Sequence, residues 1–245
     1  MKQEIWHGDC LELMKNIPDK SVDMILCDLP YGTTACKWDT IIPFDKLWEQ
    51  YLRIVKDDAA ILLFGSEPFS SVLRVSNLKH FRYDWIWKKD KSGNIAVLKY
   101  QPAKVHEIVS VFSIKSHKYN PIMDIRLKEN KRNNKPRFNK VGIQGGKEFF
   151  VEKSRGMDDV KYPISVREYN CVRNGQHPTQ KPVELLEYLI KTYTQEKDLV
   201  LDNCAGSGST LVAAKNLNRQ FIGIEKEKEY YDICLERLKE KEEFE

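Results

Sequence analysis

The chain has 245 residues, of which 41% are hydrophobic and 31% are charged, and its formal net charge is +4. This length is sufficient to bury the core of one α/β domain that carries an insertion. Because no apolar run approaches about 18 residues, we expect no membrane span. The amino-terminal residues contain no apolar stretch of the kind found in signal peptides, so we expect a cytoplasmic protein.

The six cysteines contain no Cys-x-x-Cys pair. Widely spaced cysteines of this kind are typical of reduced thiols in a reducing compartment. We therefore predict neither a disulfide framework nor a cysteine-ligated metal site.

Short apolar runs alternate with stretches of helical spacing along most of the chain. Strands are predicted at Ile5–His7, Ser21–Cys27, Ala59–Phe64, Tyr83–Lys88, Glu107–Ile114, Leu199–Leu201 and Gln220–Ile224. Helices are predicted at Leu11–Ile17, Phe44–Val55, Pro68–Leu78, Glu184–Thr194, Thr210–Leu217 and Lys228–Glu242, the last burying Tyr231, Cys234, Leu235 and Leu238. This alternation predicts an α/β fold, a Rossmann-like and mainly parallel sheet of about seven strands with helices on both faces.

One segment, residues 115–165, interrupts this alternation and carries a marked positive charge. From Lys115 to Lys161 there are 13 Lys and Arg against 6 Asp and Glu, a net charge of +7, which leaves −3 for the rest of the chain. Such a basic segment indicates a polyanionic partner, although a solvated polar loop has the same composition. We predict an insertion at 115–165 within one domain whose other parts are residues 1–114 and 166–245.

A glycine turn follows the apolar run Leu199–Leu201, which ends at Asp202. Gly206 and Gly208 allow the backbone to take positive φ and a ligand to approach closely, and the next helix offers unpaired N–H groups. Glu225 ends the following strand, where an acidic side chain commonly binds ribose hydroxyls. A turn required only for packing remains an alternative. A nicotinamide dinucleotide site is disfavoured, because Leu211 occupies the position of the third glycine of that motif.

The tetrapeptide Asp28-Leu29-Pro30-Tyr31 follows a buried strand directly. In parallel sheets ligands bind at the carboxyl ends of strands, so this turn and the glycine turn are expected to face one crevice. The Asp28 carboxylate and the outward-pointing Leu29 carbonyl could accept hydrogen bonds from one exocyclic amine, and Tyr31 offers a flat face for a base. This chemistry would act by positioning and electrostatics. A purely structural turn is the alternative.

Four elements together resemble the S-adenosylmethionine-dependent DNA amino-methyltransferases, and their order resembles the β class of that family. They are the Gly-Asp element at Gly8–Cys10, the catalytic tetrad at Asp28–Tyr31, the HPTxKP element at His177–Pro182 and the FxGxG element at Cys204–Gly208. Two positions differ from the family pattern. Leu29 replaces the first proline of the tetrad, and Cys204 replaces a phenylalanine that packs on the cofactor.

The resemblance implies a role for each of these residues. The target base would be held by Asp28, the Leu29 carbonyl, Pro30 and Tyr31. The S-adenosylmethionine cofactor would be bound by Asp9 and Cys10 at the adenine, by Glu225 at the ribose, by Thr179 and Lys181 at the methionine carboxylate, and by Asp202, Cys204, Gly206 and Gly208 along the methionine part. Residues 115–165 would form the target-recognition region. Phosphate contacts are expected from Lys88, Lys89, Arg132 and Arg137. Trp38 and Phe69 are aromatic residues near the tetrad, and for Phe69 a core position is expected.

The partner implied by the resemblance is double-stranded DNA, with the target base flipped out of the helix. An Asp-headed tetrad resembles the adenine-N6 enzymes, whereas the cytosine-N4 enzymes of this class more often carry Ser. C5-cytosine chemistry is disfavoured because no Pro-Cys pair is present to supply the nucleophile. A homodimer is expected, and any cognate restriction endonuclease would be a separate chain. Methylation of RNA or of a protein glutamine, a non-catalytic DNA-binding module and a dinucleotide oxidoreductase are the less favoured alternatives.

Overall fold

The computed structural model describes residues 2–33, 39–126, 139–144, 147–151, 159–173, 175 and 179–239, with the backbone alone in 139–144 and 147–151. The chain divides into two compact units. The first unit consists of Met1–Asn120 and Ser165–Glu245, and the second consists of Pro121–Ile164. None of the helices in these ranges is long and apolar enough to cross a membrane.

Strands and helices occur in both halves of the first unit, and the second unit contains short strands. The strands are β1 Gln3–His7, β2 Val22–Cys27, β3 Val55–Gly65, β4 Phe81–Lys88, β5 His106–Phe112, β6 Asp124–Ile125, β7 Asn139–Gln144, β8 Lys147–Val151, β9 Val160–Lys161, β10 Val166–Glu168, β11 Leu199–Asp202 and β12 Gln220–Glu225. The helices are α1 Cys10–Leu13, α2 Phe44–Ile54, α3 Phe69–Ser76, α4 Val183–Tyr193, α5 Ser209–Asn216 and α6 Lys228–Lys239.

Within the described part of the first unit, eight strands form one sheet in the order β1-β12-β11-β2-β3-β5-β4-β10. Only β5 is antiparallel to its neighbours β3 and β4; the other pairs in the sheet are parallel. The prediction of a mainly parallel Rossmann-like sheet is confirmed. The eighth strand is β10, which the sequence did not reveal because its three residues are too few for a period to show. Because β5 runs antiparallel to its neighbours, its first residues lie beside the carboxyl ends of the parallel strands.

The two faces of the sheet are covered by different helices. Helix α2 contacts α1 and α3, while α4 packs on α5 and α5 packs on α6. The helix α2 shows why this packing arises, because its buried side chains Leu47, Trp48, Tyr51 and Ile54 recur at helical spacing. They join Ile25 and Cys27 of β2 in the main hydrophobic cluster. Helices on both faces are therefore confirmed.

The first helix is shorter than the predicted Leu11–Ile17. It ends at Leu13, and a 3-10 turn continues through Asn16. The reason is Pro18, which has no N–H and cannot donate to the Met14 carbonyl in a further α-helical turn. The Met14 carbonyl instead accepts from Ile17 N at 3.0 Å, and the Arg53 guanidinium donates to the carbonyl oxygens of Met14 and Ile17, each at 2.8 Å.

Helix α6 is less buried than predicted. Its Cys234 is fully buried, whereas Tyr231, Leu235 and Leu238 are half-buried. Cys234 packs directly against the backbone of Gly208 at the start of α5. The helix therefore covers the glycine turn through Cys234 and through Arg237, which donates to the carbonyl oxygen of Ser207 at 2.5 Å and to Ser209 Oγ at 3.1 Å.

The second compact unit begins at Pro121, whereas the predicted insertion begins at residue 115. Residues 115–120 are bound to the first unit through backbone hydrogen bonds, from Lys115 N to Asp57 O at 3.2 Å and from Asn120 N to Thr192 O at 2.7 Å. Within the second unit, β6 pairs with β9 and β7 pairs with β8, both antiparallel.

Candidate active site

A cavity of about 340 Å³ opens at the carboxyl ends of the central strands. It is lined by residues that follow β2, β11 and β12, together with the start of β5. Among the predicted site residues, the lining includes Asp9, Cys10, Asp28, Leu29, Pro30, Tyr31, Thr179, Lys181, Asp202, Cys204, Gly206 and Glu225. The tetrad at Asp28 and the glycine turn after Asp202 are more than 170 residues apart in sequence, yet they face one crevice, as is expected at the carboxyl ends of parallel strands.

Gly208 is the one residue of the glycine motif that does not line this cavity. It precedes α5 with φ of +78°, in the left-handed region, and a Cβ at this position would overlap the sulfur of Cys234. A side chain at position 208 is therefore excluded both by the packing of α6 and by the backbone conformation. The packing role that was the alternative for the glycine turn thus applies to Gly208, whereas Gly206 lines the cavity with φ of +52°.

The Asp28 carboxylate has a partner on each oxygen. Tyr31 Oη donates to Asp28 Oδ1 at 2.6 Å, and the Lys181 ammonium pairs with Asp28 Oδ2. Burial raises the pKa of the Asp28 carboxyl, and the Lys181 ammonium acts in the opposite direction. The ring of Tyr31 packs on Phe69 with 4.8 Å between ring centroids. Phe69 is itself buried, which confirms its predicted core position.

Glu107 is a site residue that sequence reasoning did not identify. It is the second residue of β5, its Oε1 pairs with Lys89, and its Oε2 lies 3.4 Å from Lys181 Nζ. Burial would raise the pKa of Glu107, but the ammonium groups of Lys181 and Lys89 outweigh it and the pKa lies below its ordinary value. Only the antiparallel direction of β5 brings this glutamate to the cavity, and strand direction is not visible in the sequence.

Lys181 is buried, with 7% of its surface exposed, and is held between two carboxylates. Besides Asp28 and Glu107 it contacts the carbonyl oxygen of Thr179 at 3.4 Å. Its predicted contact with a methionine carboxylate would require it to exchange one of these partners. That contact stays a prediction.

The residues predicted to contact phosphate have different surroundings. Lys88 is exposed and pairs with Glu168 at 2.7 Å, whereas Lys89 is largely buried in its pair with Glu107. A phosphate contact by Lys89 would require it to leave this partner, and sequence reasoning missed the pair because it missed Glu107. The predictions for Trp38, Arg132, Arg137 and His177 fall outside the described residues.

The opposite end of the cavity is defined by Glu225. Its Oε2 accepts a hydrogen bond from Gly206 N at 2.7 Å, and its Oε1 accepts one from Glu227 N at 2.8 Å. Burial raises the pKa of this carboxyl, and the two backbone donors oppose the shift. Asp9 lies nearby, where its Oδ1 accepts from Leu11 N at 3.0 Å and its Oδ2 lies 3.6 Å from the Lys226 ammonium.

Asp202 and three thiols lie beneath the glycine turn. Asp202 Oδ1 accepts from Cys204 N at 3.1 Å, and burial raises the pKa of this carboxyl to about 6. The Cys204 thiol is hydrogen-bonded with the thiols of Cys10 and Cys27, and this contact raises its pKa. A cluster of small thiols thus stands where the family has a phenylalanine. Among the described residues, no group of three or more His, Cys, Asp or Glu is placed to hold a metal ion.

Comparisons with known proteins agree with this arrangement. The sequence model of the DNA methylase family matches residues 22–236. The type II methyltransferase M.HpaI of Haemophilus parainfluenzae is 29% identical, over 97% of this chain and 74% of that protein. The DNA adenine methyltransferase YhdJ of Escherichia coli strain K12 is 30% identical, over 96% of this chain and 82% of that protein.

The solved structure of the PvuII cytosine-N4-specific DNA methyltransferase shares the fold. It matches 95% of this chain and 85% of that one with a TM-score of 0.67 and 18% sequence identity. The family match spans most of the chain and includes both motifs that line the cavity. The chain therefore belongs to the DNA methylase family, the S-adenosylmethionine-dependent enzymes that methylate amino groups of DNA bases.

Proposed function

We propose that this chain transfers a methyl group from S-adenosylmethionine to the N6 amino group of adenine, in a base flipped out of double-stranded DNA. The observation that carries the proposal is the Asp28 carboxylate at the cavity wall, hydrogen-bonded to Tyr31 and facing the same space as Gly206 and Glu225. One end of this cavity suits an amine donor, and the other end suits a sugar and its base.

The cavity residues fit the cofactor. A cavity of about 340 Å³ falls in the size range of small-molecule sites. Each oxygen of Glu225 accepts one backbone N–H, so each keeps acceptor capacity for a ribose hydroxyl. Asp9 and Cys10 are assigned to the adenine and Gly206 to the methionine part. When bound, S-adenosylmethionine supplies a methyl group activated by its positively charged sulfur.

The chain's own residues would then hold the target amine. Asp28 and the Leu29 carbonyl each accept one N–H of the exocyclic –NH2 group, which directs the nitrogen lone pair away from both oxygens. In the structure Lys181 pairs with one oxygen of Asp28, and we infer that the amine takes its place there. Glu107 Oε2 is buried, accepts no hydrogen bond from the described residues and lies 3.4 Å from the Lys181 ammonium. It is therefore placed to receive Lys181.

This exchange also affects proton transfer. The attacking nitrogen becomes positively charged as it gains the methyl group and must then release a proton. Burial already raises the pKa of Asp28, and the loss of Lys181 as a direct partner would raise it further. Asp28 Oδ2 thus becomes a better proton acceptor at the stage at which a proton has to leave the amine.

The choice of adenine is supported by two observations. Asp28 heads the tetrad, as in the adenine-N6 enzymes that the sequence resembles. YhdJ, at 30% identity, is named a DNA adenine methyltransferase. The runner-up is cytosine-N4 methylation, since its exocyclic amine presents the same two N–H donors to Asp28 and the Leu29 carbonyl.

The remaining parts of the proposal concern partners. Residues 115–165, with a net charge of +7 from Lys115 to Lys161, are assigned to target recognition, including phosphate contacts by Arg132 and Arg137. M.HpaI is named a type II methyltransferase. We accordingly place the chain in a restriction-modification setting, with any endonuclease on a separate chain, and we expect a homodimer.

The test is methyl transfer from labelled S-adenosylmethionine to unmethylated genomic DNA, followed by identification of the modified nucleoside. N6-methyladenine is the expected product. N4-methylcytosine would overturn the choice of base and retain the mechanism. Transfer to RNA or protein with none to DNA would contradict the proposal as a whole.

A further inference from the structure

We propose that the loop between β4 and β5 is a wedge that enters the DNA base stack and supports the extrusion of the target base. We call this loop, residues 89–105, the β4–β5 finger. The inference rests on the proposed function, because it assigns a DNA contact to an enzyme that acts on a flipped base. It is carried by the position of the finger, its internal order and the chemistry of its tip.

The finger lies at the end of the sheet where the parallel strands have their carboxyl ends, which is also where the cavity opens. Its first strand β4 ends at Lys88 and its second strand β5 begins at His106, and these two residues are paired. The base of the finger is joined directly to the active site, since Lys89 pairs with Glu107 and Glu107 contacts Lys181. On the other side, the Lys104 ammonium donates to Ser66 Oγ just after β3.

The finger has a defined internal structure. Gly93 N donates to Lys104 O at 3.0 Å. The Asn94 side chain accepts from Lys104 N at 2.7 Å and donates to Pro102 O at 3.0 Å. These bonds join the two sides of the finger below its tip, which contains the 3-10 turn Ile95–Val97. These hydrogen bonds therefore hold the tip in a defined position at the end of the finger.

Apolar side chains at this tip face solvent. The exposed fraction is 73% for Ile95, 46% for Leu98 and 87% for Tyr100. Exposure of several large apolar side chains on one ordered projection marks a binding surface. An aromatic and an aliphatic side chain of this kind are suited to occupy the gap that an extruded base leaves in the stack.

The charge of the finger indicates the partner. It contains four lysines and a single acidic residue, Asp90, a net charge of +3. Lys91 and Lys99 are exposed beside the apolar tip. An apolar tip flanked by ammonium groups complements stacked bases flanked by phosphates, which favours duplex DNA as the occupant.

The experiment compares the double variant Leu98→Ser/Tyr100→Ser with the wild type. The matched control is Val75→Ser/Leu78→Ser, because these side chains are also exposed, at 74% and 66%. They precede the amino-terminal end of β4, whereas the finger follows its carboxyl end. The substrates are two duplexes that contain the methylation site, which is first mapped by sequencing genomic DNA that the wild type has methylated. In one the target base is paired, and in the other it lies opposite an abasic position and is already unstacked.

We expect the finger variant to lose about tenfold or more in kcat/KM on the paired duplex and to recover to within about threefold of wild type on the abasic duplex. The control should match wild type on both, and calorimetry should show unchanged S-adenosylmethionine binding in all three proteins. Wild-type activity of the finger variant on the paired duplex would overturn the wedge, as would an equal loss on both duplexes. So would loss of activity with dissociation of a dimer in sedimentation, which would make the finger a subunit contact. An inactive wild type on every DNA would instead refute the proposed function.

Discussion

Asp28 is the first of four charged side chains that alternate in sign. Lys181 joins it to Glu107, and Glu107 joins Lys181 to Lys89. Each of these groups is mostly withdrawn from water, so the loss of one member would leave its neighbour as an uncompensated charge. At the residue scale, the reactivity of Asp28 is thus set by three side chains that themselves need not touch the substrate.

Glu107→Gln is expected to lower kcat by about tenfold or more, because Lys181 then lacks the carboxylate that would receive it when the amine binds Asp28. It should also lower the free energy of unfolding by about 2 kcal/mol, since Lys89 becomes a partly buried charge without its partner. Steady-state kinetics and urea denaturation measure the two effects.

The control for this variant is Glu168→Gln. Glu168 pairs with Lys88, the residue before Lys89, but this pair is exposed and should contribute less than about 1 kcal/mol. Both kcat and stability should stay near wild type. Equal effects of the two substitutions would show that Glu107 has no special role.

At the scale of elements, the ends of β2, β11 and β12 determine where the chemistry takes place. Each of these strands is predicted by its apolar run, and each carries at its carboxyl end a residue that sequence analysis assigned to the site: Asp28 directly after β2, Asp202 as the last residue of β11 and Glu225 as the last residue of β12. The position of the site can therefore be predicted from the sequence pattern, because parallel strands place their carboxyl ends at the same end of the sheet.

Other features of the site depend on contacts that no local pattern encodes. Glu107 reaches the cavity only because β5 is antiparallel to β3 and β4, and β10 is too short to show a period. Lys181 forms an ion pair with Asp28, which is 153 residues away in sequence. Lys88 and Lys89 are adjacent and chemically identical in the sequence, but in the structure Lys88 is exposed and Lys89 is largely buried.

The start of α5 depends on close packing with α6, and Gly208→Ala tests this. The new Cβ would overlap Cys234 Sγ and would force an alanine into the left-handed region. We expect a loss of about 2–4 kcal/mol in the free energy of unfolding by urea denaturation. Gly93→Ala is the matched control, because a Cβ there meets nothing within 4 Å. A loss of the same size at Gly93, or none at Gly208, would contradict this account.

The buried end of β11 should make stability depend on pH. Burial raises the pKa of Asp202 from 3.8 to about 6 in the folded protein. The folded state therefore binds a proton that the unfolded chain has released, and the free energy of unfolding decreases as pH rises from about 4 to about 6. Asp202→Asn removes this dependence, so its gain over wild type should be at most about 3 kcal/mol at pH 8 and small at about pH 4.

The measurement for Asp202→Asn is urea denaturation of the cofactor-free protein at both pH values. A difference between variant and wild type that is the same at about pH 4 and at pH 8 would show that this carboxyl keeps an ordinary pKa when the protein is folded.

At the scale of the whole molecule, charge is divided unevenly along the chain. The net charge of +7 from Lys115 to Lys161 exceeds the +4 of the entire protein. DNA binding that depends on such a segment should weaken steeply with salt, because each neutralised phosphate releases counterions. Sequence alone predicts this property, since it requires composition and no fold.

The double variant Arg132→Gln/Arg137→Gln should bind DNA more weakly and show a smaller salt dependence. If both arginines contact phosphate, the slope of log K against log salt should decrease in magnitude by about 0.9 per residue. Titrations by fluorescence anisotropy at several salt concentrations measure this slope. Lys20→Gln/Lys79→Gln is the charge-matched control, as both residues precede strands at the edge opposite the cavity. An unchanged slope for the arginine variant would contradict their assignment.

The most direct test of the central claim is to separate cofactor binding from methyl transfer in Asp28→Ala. Asp28 is assigned to the target amine and Glu225 to the cofactor, so the variant should bind S-adenosylmethionine within about threefold of wild type and lose about a thousandfold in single-turnover methyl transfer to DNA. Retention of transfer within about tenfold of wild type would show that Asp28 does not hold the reacting amine.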